Sequence, residues 1–210
     1  MKFQNFLFDL DGTLTDSGPG IINSILYALQ KFGLPAVSKE SLQSFLGPPL
    51  IDSFQHYCGV SAEEAETLVR YYREYFTEKG IFENSLYPGI RETLEALKAR
   101  GAVLCLATSK PEPFAIQIIR HFQLESCFRF IGGSTLDETR TDKEEVIAYV
   151  LEKGLLRPEQ TLMVGDRRYD IEGARKCGLQ VAAVLYGYGG REELAAADYL
   201  IESPEALLEI

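Results

Sequence analysis

FLFDLDGTL (residues 6–14) places two aspartates, Asp9 and Asp11, at the end of an apolar run that reads as a buried strand over 3–8. Two readings compete. Asp11-Gly12 between apolar runs is a strong hairpin signal. Alternatively, the strand exists to deliver two acids to one place, since residues two apart in an extended segment point the same way while Leu10 faces the other side. The chain that follows decides between them. No strand comes next; from Ser17 to Lys79 the pattern is helical, too long for a hairpin loop and suited to a separate lobe.

Within that segment Ile21, Ile22, Ile25, Leu26, Leu29 and Phe32 keep helical spacing, and Gly33 ends the helix. Ser61 with Glu64 three residues on is a capping box for a helix through LVRYYREYF. Gly47, Pro48 and Pro49 break the pattern between them. From Pro88 the signal alternates. Helices are expected from Pro88 to Gly101, around 114–122, over EEVIAYVLEKG and over DIEGARKCG, with a terminal one from Pro204. Strands are expected at VLCLA (103–107), FRFI (128–131), TLMV (161–164), VAAVL (181–185) and YLI. Continuous apolar strands alternating with helices specify an α/β fold, a doubly wound parallel sheet covered on both faces. The expected division is a core of residues 1–15 and 88–210 carrying an inserted all-helical domain, 16–87.

Composition limits the function. The 210 residues are 46% apolar and 25% charged, with a formal charge of −10 that disfavours nucleic-acid polymers and anionic membranes as partners. Asp9 cuts the N-terminal apolar run short of a secretory signal, and no stretch approaches a membrane span. Four scattered cysteines without a Cys-x-x-Cys pair read as reduced thiols, so a cytoplasmic location is expected. Only His56 and His121 are present, which leaves any chemistry to carboxylates.

In a parallel sheet, ligands collect at the carboxyl ends of the strands. Here those ends carry Asp9 and Asp11, then Thr108-Ser109-Lys110, then Gly165-Asp166 with Asp170 beyond; Lys143 opens the helix before the third. Converging carboxylates need a cation, and hard oxygen ligands without histidine or thiol favour Mg²⁺. A hydroxyl and a lysine beside the metal suit a phosphate. The physical picture is a Mg²⁺-assisted phosphoryl-transfer site.

DLDGTLTDS (9–17), LATSKP (106–111), TDK (141–143) and GDRRYD (165–170) resemble the four ordered motifs of the haloacid dehalogenase superfamily, closest to its phosphatase branch related to phosphoglycolate phosphatases and soluble 5′-nucleotidases. The resemblance spans essentially the whole chain, with the helical segment where that branch carries a cap domain. It implies Asp9 as nucleophile and Asp11 as general acid and base. It implies Mg²⁺ held by the Asp9 carboxylate, the Asp11 carbonyl and Asp166, with Asp170 one layer back or near Lys143. Thr108 and Lys143 would hold the phosphate, assisted by the N–H groups of Gly12 and Ser109. The implied activity is hydrolysis of small phosphomonoesters, phosphoglycolate or a nucleoside 5′-monophosphate, with a phosphorylated metabolite as partner.

Two alternatives stand beside it. Sugar-phosphate mutases of the superfamily keep both acids but usually place an acidic pair where this chain has Gly165-Asp166. A non-catalytic protein binding phosphate and Mg²⁺ would need neither Asp9 nor Asp11. Asp16 and Ser17 read as a helix cap at the hinge, Arg167 and Arg168 as partners of either an anionic substrate or neighbouring acids, and GYGGRE (187–192) as a loop. Oligomeric state is not encoded in any readable motif.

Overall fold

A computed structural model describes residues 2–137 and 139–210. The chain divides into two compact units, Met1–Asp16 with Leu86–Ile210, and Ser17–Ser85.

The first unit is built on β1 (Asn5–Phe8), with the short β2 (Thr15–Asp16) before the insertion and β3 (Ser85–Leu86) at its end. Then follow α5 (Ile90–Ala99), β4 (Val103–Pro111), α6 (Glu112–His121), β5 (Phe130–Ser134), α7 (Lys143–Gly154), β6 (Thr161–Gly165), α8 (Arg168–Lys176), β7 (Gln180–Val184) and β8 (Tyr199–Ile201). Among the described residues six strands form one sheet in the order β5-β4-β1-β6-β7-β8, every pair parallel. β1 is central: Leu7 lies level with Cys105 on one side and Met163 on the other. Leu7, Cys105, Ala107, Met163, Val181 and Ala183 face Val146, Ile147 and Val150 of α7 and Ile171 and Ala174 of α8. Phe6, Phe8, Leu104, Leu106, Leu162 and Val164 alternate to the other face and are equally buried. The hairpin reading of Asp11-Gly12 is excluded, because β1 pairs with no antiparallel neighbour.

The strands differ from expectation in two places. β4 runs on to Pro111, and its ladder with β5 shifts between Ala107 and Pro111. Four residues of β4 there span two of β5, a bulge that takes Thr108, Ser109 and Lys110 off the regular pleat. The strand expected at 128–131 begins instead at Phe130, because Glu125–Cys127 forms a 3-10 turn just before it. The terminal helix expected from Pro204 is a 3-10 helix over Pro204–Glu209.

The second unit holds α1 (Gly18–Phe32), α2 (Lys39–Ser44), α3 (Leu50–Cys58) and α4 (Ala62–Glu78). Gly33 closes α1 with φ 88°, and Ser61 with Glu64 forms the capping box of α4. Ser17, expected to cap α1, accepts no capping hydrogen bond, and its hydroxyl is buried without a partner. The closest backbone approach is at Gly20, where a Cβ would collide with the Gly80 carbonyl. Among the described residues no helix is long and apolar enough to cross a membrane.

Gly20→Ala is therefore expected to lower stability by about 1–3 kcal/mol through overpacking, read from urea denaturation. An unchanged midpoint would mean that the α1 approach to Gly80 is not tight.

Candidate functional site

β1 and β6 run side by side, so their carboxyl ends bring Asp9 and Asp166 together. The chain turns sharply after Leu10, whose carbonyl accepts from the N–H groups of Thr13, Leu14 and Thr15. Gly12, at φ 82°, makes this turn possible and lets it touch β6, since a Cβ there would run into the Asp166 carboxylate. The Gly12 N–H, expected to serve a phosphate, instead donates to the Thr15 carbonyl at 2.8 Å. The tight turn that brings Gly12 onto Asp166 consumes that donor.

Asp166 is fully buried. Thr13 Oγ1 donates to its Oδ1 at 3.1 Å and the Tyr188 N–H to its Oδ2 at 2.8 Å. Each oxygen has a second lone pair beyond that bond. Burial pushes the Asp166 carboxyl well above the usual range, Asp170 and Asp9 add to this, and the two donors oppose it. Asp170 sits in the first turn of α8, where its Oδ2 accepts the N–H groups of Asp166 at 3.1 Å and Arg167 at 3.0 Å. This is an acid satisfying orphan donors at a helix start. Gly165 makes room for it, since a Cβ there would strike the Asp170 carboxylate.

Lys143, the first residue of α7, extends to Asp9 Oδ1 at 2.8 Å and Asp170 Oδ1 at 2.7 Å. Burial alone disfavours its charge, but Asp170 and Asp9 overcome that and raise its pKa above the ordinary lysine value. Burial likewise pushes Asp170 up, against the pull of Lys143. The approach of α7 to α8 depends on Gly173, where a Cβ would stand 2.9 Å from the Glu144 nitrogen.

Thr108 is buried and its hydroxyl oxygen accepts the Lys110 N–H at 3.2 Å, which leaves the hydroxyl proton to be donated elsewhere. Ser109 is exposed. Asp11 turns its Oδ2 to Lys110 at 2.8 Å. Arg167 pairs with Glu193 at 2.9 Å. Asp16, expected as part of a cap, accepts from the Tyr188 hydroxyl at 3.0 Å.

The residues present fit a hard divalent cation. Ligand-capable oxygens of Asp9, Asp166 and Asp170 lie within 4.8 Å of one another. Asp9 Oδ1 and Asp170 Oδ1 are buried and meet Lys143 at 2.8 and 2.7 Å, and each oxygen keeps a lone pair beyond that contact. Asp9, Asp166 and Asp170 face Lys143, so this set, when ionised, is two positive charges short. An all-oxygen donor set of this kind suits Mg²⁺.

Lys110 and Thr13, read from the sequence only as strand-end residues, and GYGGRE, read only as a loop, also belong to the site. Tyr186 donates from its hydroxyl to the Thr13 carbonyl at 3.1 Å. A Cβ at Gly187 would collide with the Gly12 carbonyl and the Asp166 side chain, and one at Gly189 with the Asp166 carbonyl. The glycines of GYGGRE thus let a loop close over Asp166. Their signal lay in the strand order: β7 neighbours β6, so the loop leaving β7 lands on the acid leaving β6.

Comparison with known proteins agrees with this geometry. The family described as haloacid dehalogenase-like hydrolase matches residues 6–184. A Pseudomonas aeruginosa protein named 5′-nucleotidase is 44% identical over 93% of this chain and 89% of its own length. The Mycobacterium tuberculosis protein named tyrosine-protein kinase PtkA is 40% identical over 89% of this chain, which spans 63% of that relative. The crystal structure of a "predicted phosphatase" from Clostridium acetobutylicum, 44% identical, superposes with a TM-score of 0.93 over 100% of both chains. With its motifs gathered at one sheet edge and the family match covering most of its length, the chain belongs to the haloacid dehalogenase-like hydrolase family.

Proposed function

We propose that this protein is a Mg²⁺-dependent phosphatase hydrolysing small phosphomonoesters through an aspartyl-phosphate on Asp9. The observation that carries the reading is the buried set Asp9, Asp166 and Asp170, oxygens within 4.8 Å of one another, with Lys143 bridging Asp9 and Asp170. The names of the two relatives, a nucleotidase and a kinase, share one chemistry, the making or breaking of a phosphate link to a hydroxyl oxygen. A nucleoside 5′-monophosphate is the first substrate to test, because the relative named 5′-nucleotidase is 44% identical; phosphoglycolate is the other.

The chemistry divides among the chain's own residues. Lys143 occupies Asp9 Oδ1, leaving Oδ2 to attack phosphorus. As that bond forms, the ester P–O bond breaks and the leaving oxygen takes a proton from Asp11. In the second step water gives a proton to Asp11 while its oxygen attacks phosphorus, the Asp9–phosphorus bond breaks, and inorganic phosphate is released. The Thr108 hydroxyl, the Lys143 ammonium and the Ser109 N–H hold the phosphate oxygens. Asp9, the Asp11 carbonyl and Asp166 would hold Mg²⁺, with Asp170 one layer back against Lys143; the bound cation supplies charge neutralisation and polarises the phosphoryl group. The helical unit Ser17–Ser85 leaves the core directly after the Asp9–Asp11 segment, and we assign it substrate selection as a cap domain.

Asp9→Asn should lower kcat by at least about a thousandfold with an unchanged circular dichroism spectrum; retained turnover would remove the nucleophile assignment. Mg²⁺ at a hundredfold excess over its Kd should raise the wild-type Tm by about 5–10 °C, and Asp166→Asn should abolish that rise. An equal rise in the variant would place the cation elsewhere. A panel of phosphorylated metabolites ranked by kcat/KM should be led by a nucleoside 5′-monophosphate or phosphoglycolate. Activity on none of them, with or without Mg²⁺, would overturn the reading.

A further inference from the structure

Lys110 has a geometry that the scheme above does not use. Its Nζ lies 2.8 Å from Asp11 Oδ2, with side-chain exposures of only 6% and 20%. Its backbone is fixed on two sides. The N–H donates to the Thr108 hydroxyl oxygen at 3.2 Å. The carbonyl packs against Gly133, where a Cβ would come within 2.5 Å of the Lys110 oxygen and 2.7 Å of the Glu112 nitrogen. Glu112 in turn accepts the Gly133 N–H and pairs with Arg140, both at 3.3 Å. A long and otherwise mobile side chain therefore starts from an anchored point and ends on one carboxylate oxygen. The other oxygen, Asp11 Oδ1, is buried and has no hydrogen-bond partner.

We propose that Lys110 is the positioning residue for Asp11, holding Oδ2 so that Oδ1 is the oxygen presented to the reacting proton. The inference rests on the phosphatase reading. A group that hands a proton to a leaving oxygen acts only within hydrogen-bond reach, and misplacement by about 1 Å costs roughly a hundredfold. An ion pair to one oxygen fixes the carboxylate plane without occupying the oxygen that reacts. Lys110 itself forms and breaks no covalent bond. The bulge in β4 supplies the required direction: on a regular pleat, residues 108 and 110 would share a face, whereas here the Lys110 N–H folds back onto Thr108.

The test compares wild type, Lys110→Met and Lys110→Arg on two esters. p-Nitrophenolate leaves from p-nitrophenyl phosphate with little need of a proton; the alkoxide of ethyl phosphate requires one. Lys110→Met should lose about a hundredfold in kcat/KM, which reports formation of the aspartyl-phosphate and not its hydrolysis, on ethyl phosphate, and less than about fivefold on p-nitrophenyl phosphate. Lys110→Arg, which keeps a cationic donor, should recover at least about tenfold on ethyl phosphate. Equal losses in kcat/KM on both esters would mean that Lys110 holds the phosphate or the fold and would overturn the proposal alone. A wild type inactive on both esters would instead remove the phosphatase reading and this inference with it. Should Lys110→Met fail to fold, Lys110→Gln gives the same comparison.

Discussion

Lys143 is almost out of water, yet it is charged, and it spans Asp9 at 2.8 Å and Asp170 at 2.7 Å. Removing one partner from a buried ionic group of this kind typically costs about 3–5 kcal/mol, because the remaining charge has nowhere to go. Three elements are tied by that one ammonium: the end of β1, the start of α7 and the first turn of α8. The core would pack more simply with apolar residues at these positions. Their presence is explained by the charge they keep available, since three carboxylates against one lysine, when ionised, match the charge of a divalent cation.

Close backbone approach is what allows such a cluster to form. Gly12, Gly165 and Gly187 all lie where a Cβ would strike Asp166 or Asp170. The carboxylates are thus held by contact with backbone as well as by hydrogen bonds, and their orientation is set before any ligand arrives. Preorganisation of this kind is the usual source of electrostatic catalysis.

Much of this was legible in the residues. β1 with its two acids, the parallel alternation after Pro88, the capping box at Ser61 and the stop at Gly33 all follow from local pattern and turn chemistry, and the structure has them. Lys143, Asp166 and Asp170 could be nominated because parallel strands deliver their carboxyl ends to one edge. What was not legible depends on strand order and on bulges. That the Tyr186–Gly189 loop would close on Asp166 requires β7 to lie beside β6, which periodicity does not state. That Lys110 would reach Asp11 requires the register shift in β4. Gly12 shows the reverse error: its place in the motif suggested a free N–H, whereas the turn it makes uses that N–H on Thr15.

The central claim is that phosphorus passes through a covalent bond to Asp9 instead of directly to water. The stereochemical course at phosphorus tests it most directly, because it needs no accumulated intermediate. A phosphorothioate monoester made chiral at phosphorus with two oxygen isotopes, hydrolysed in water of the third, should give inorganic thiophosphate with net retention, the result of two in-line displacements. Net inversion would mean a single displacement by water and would contradict the account.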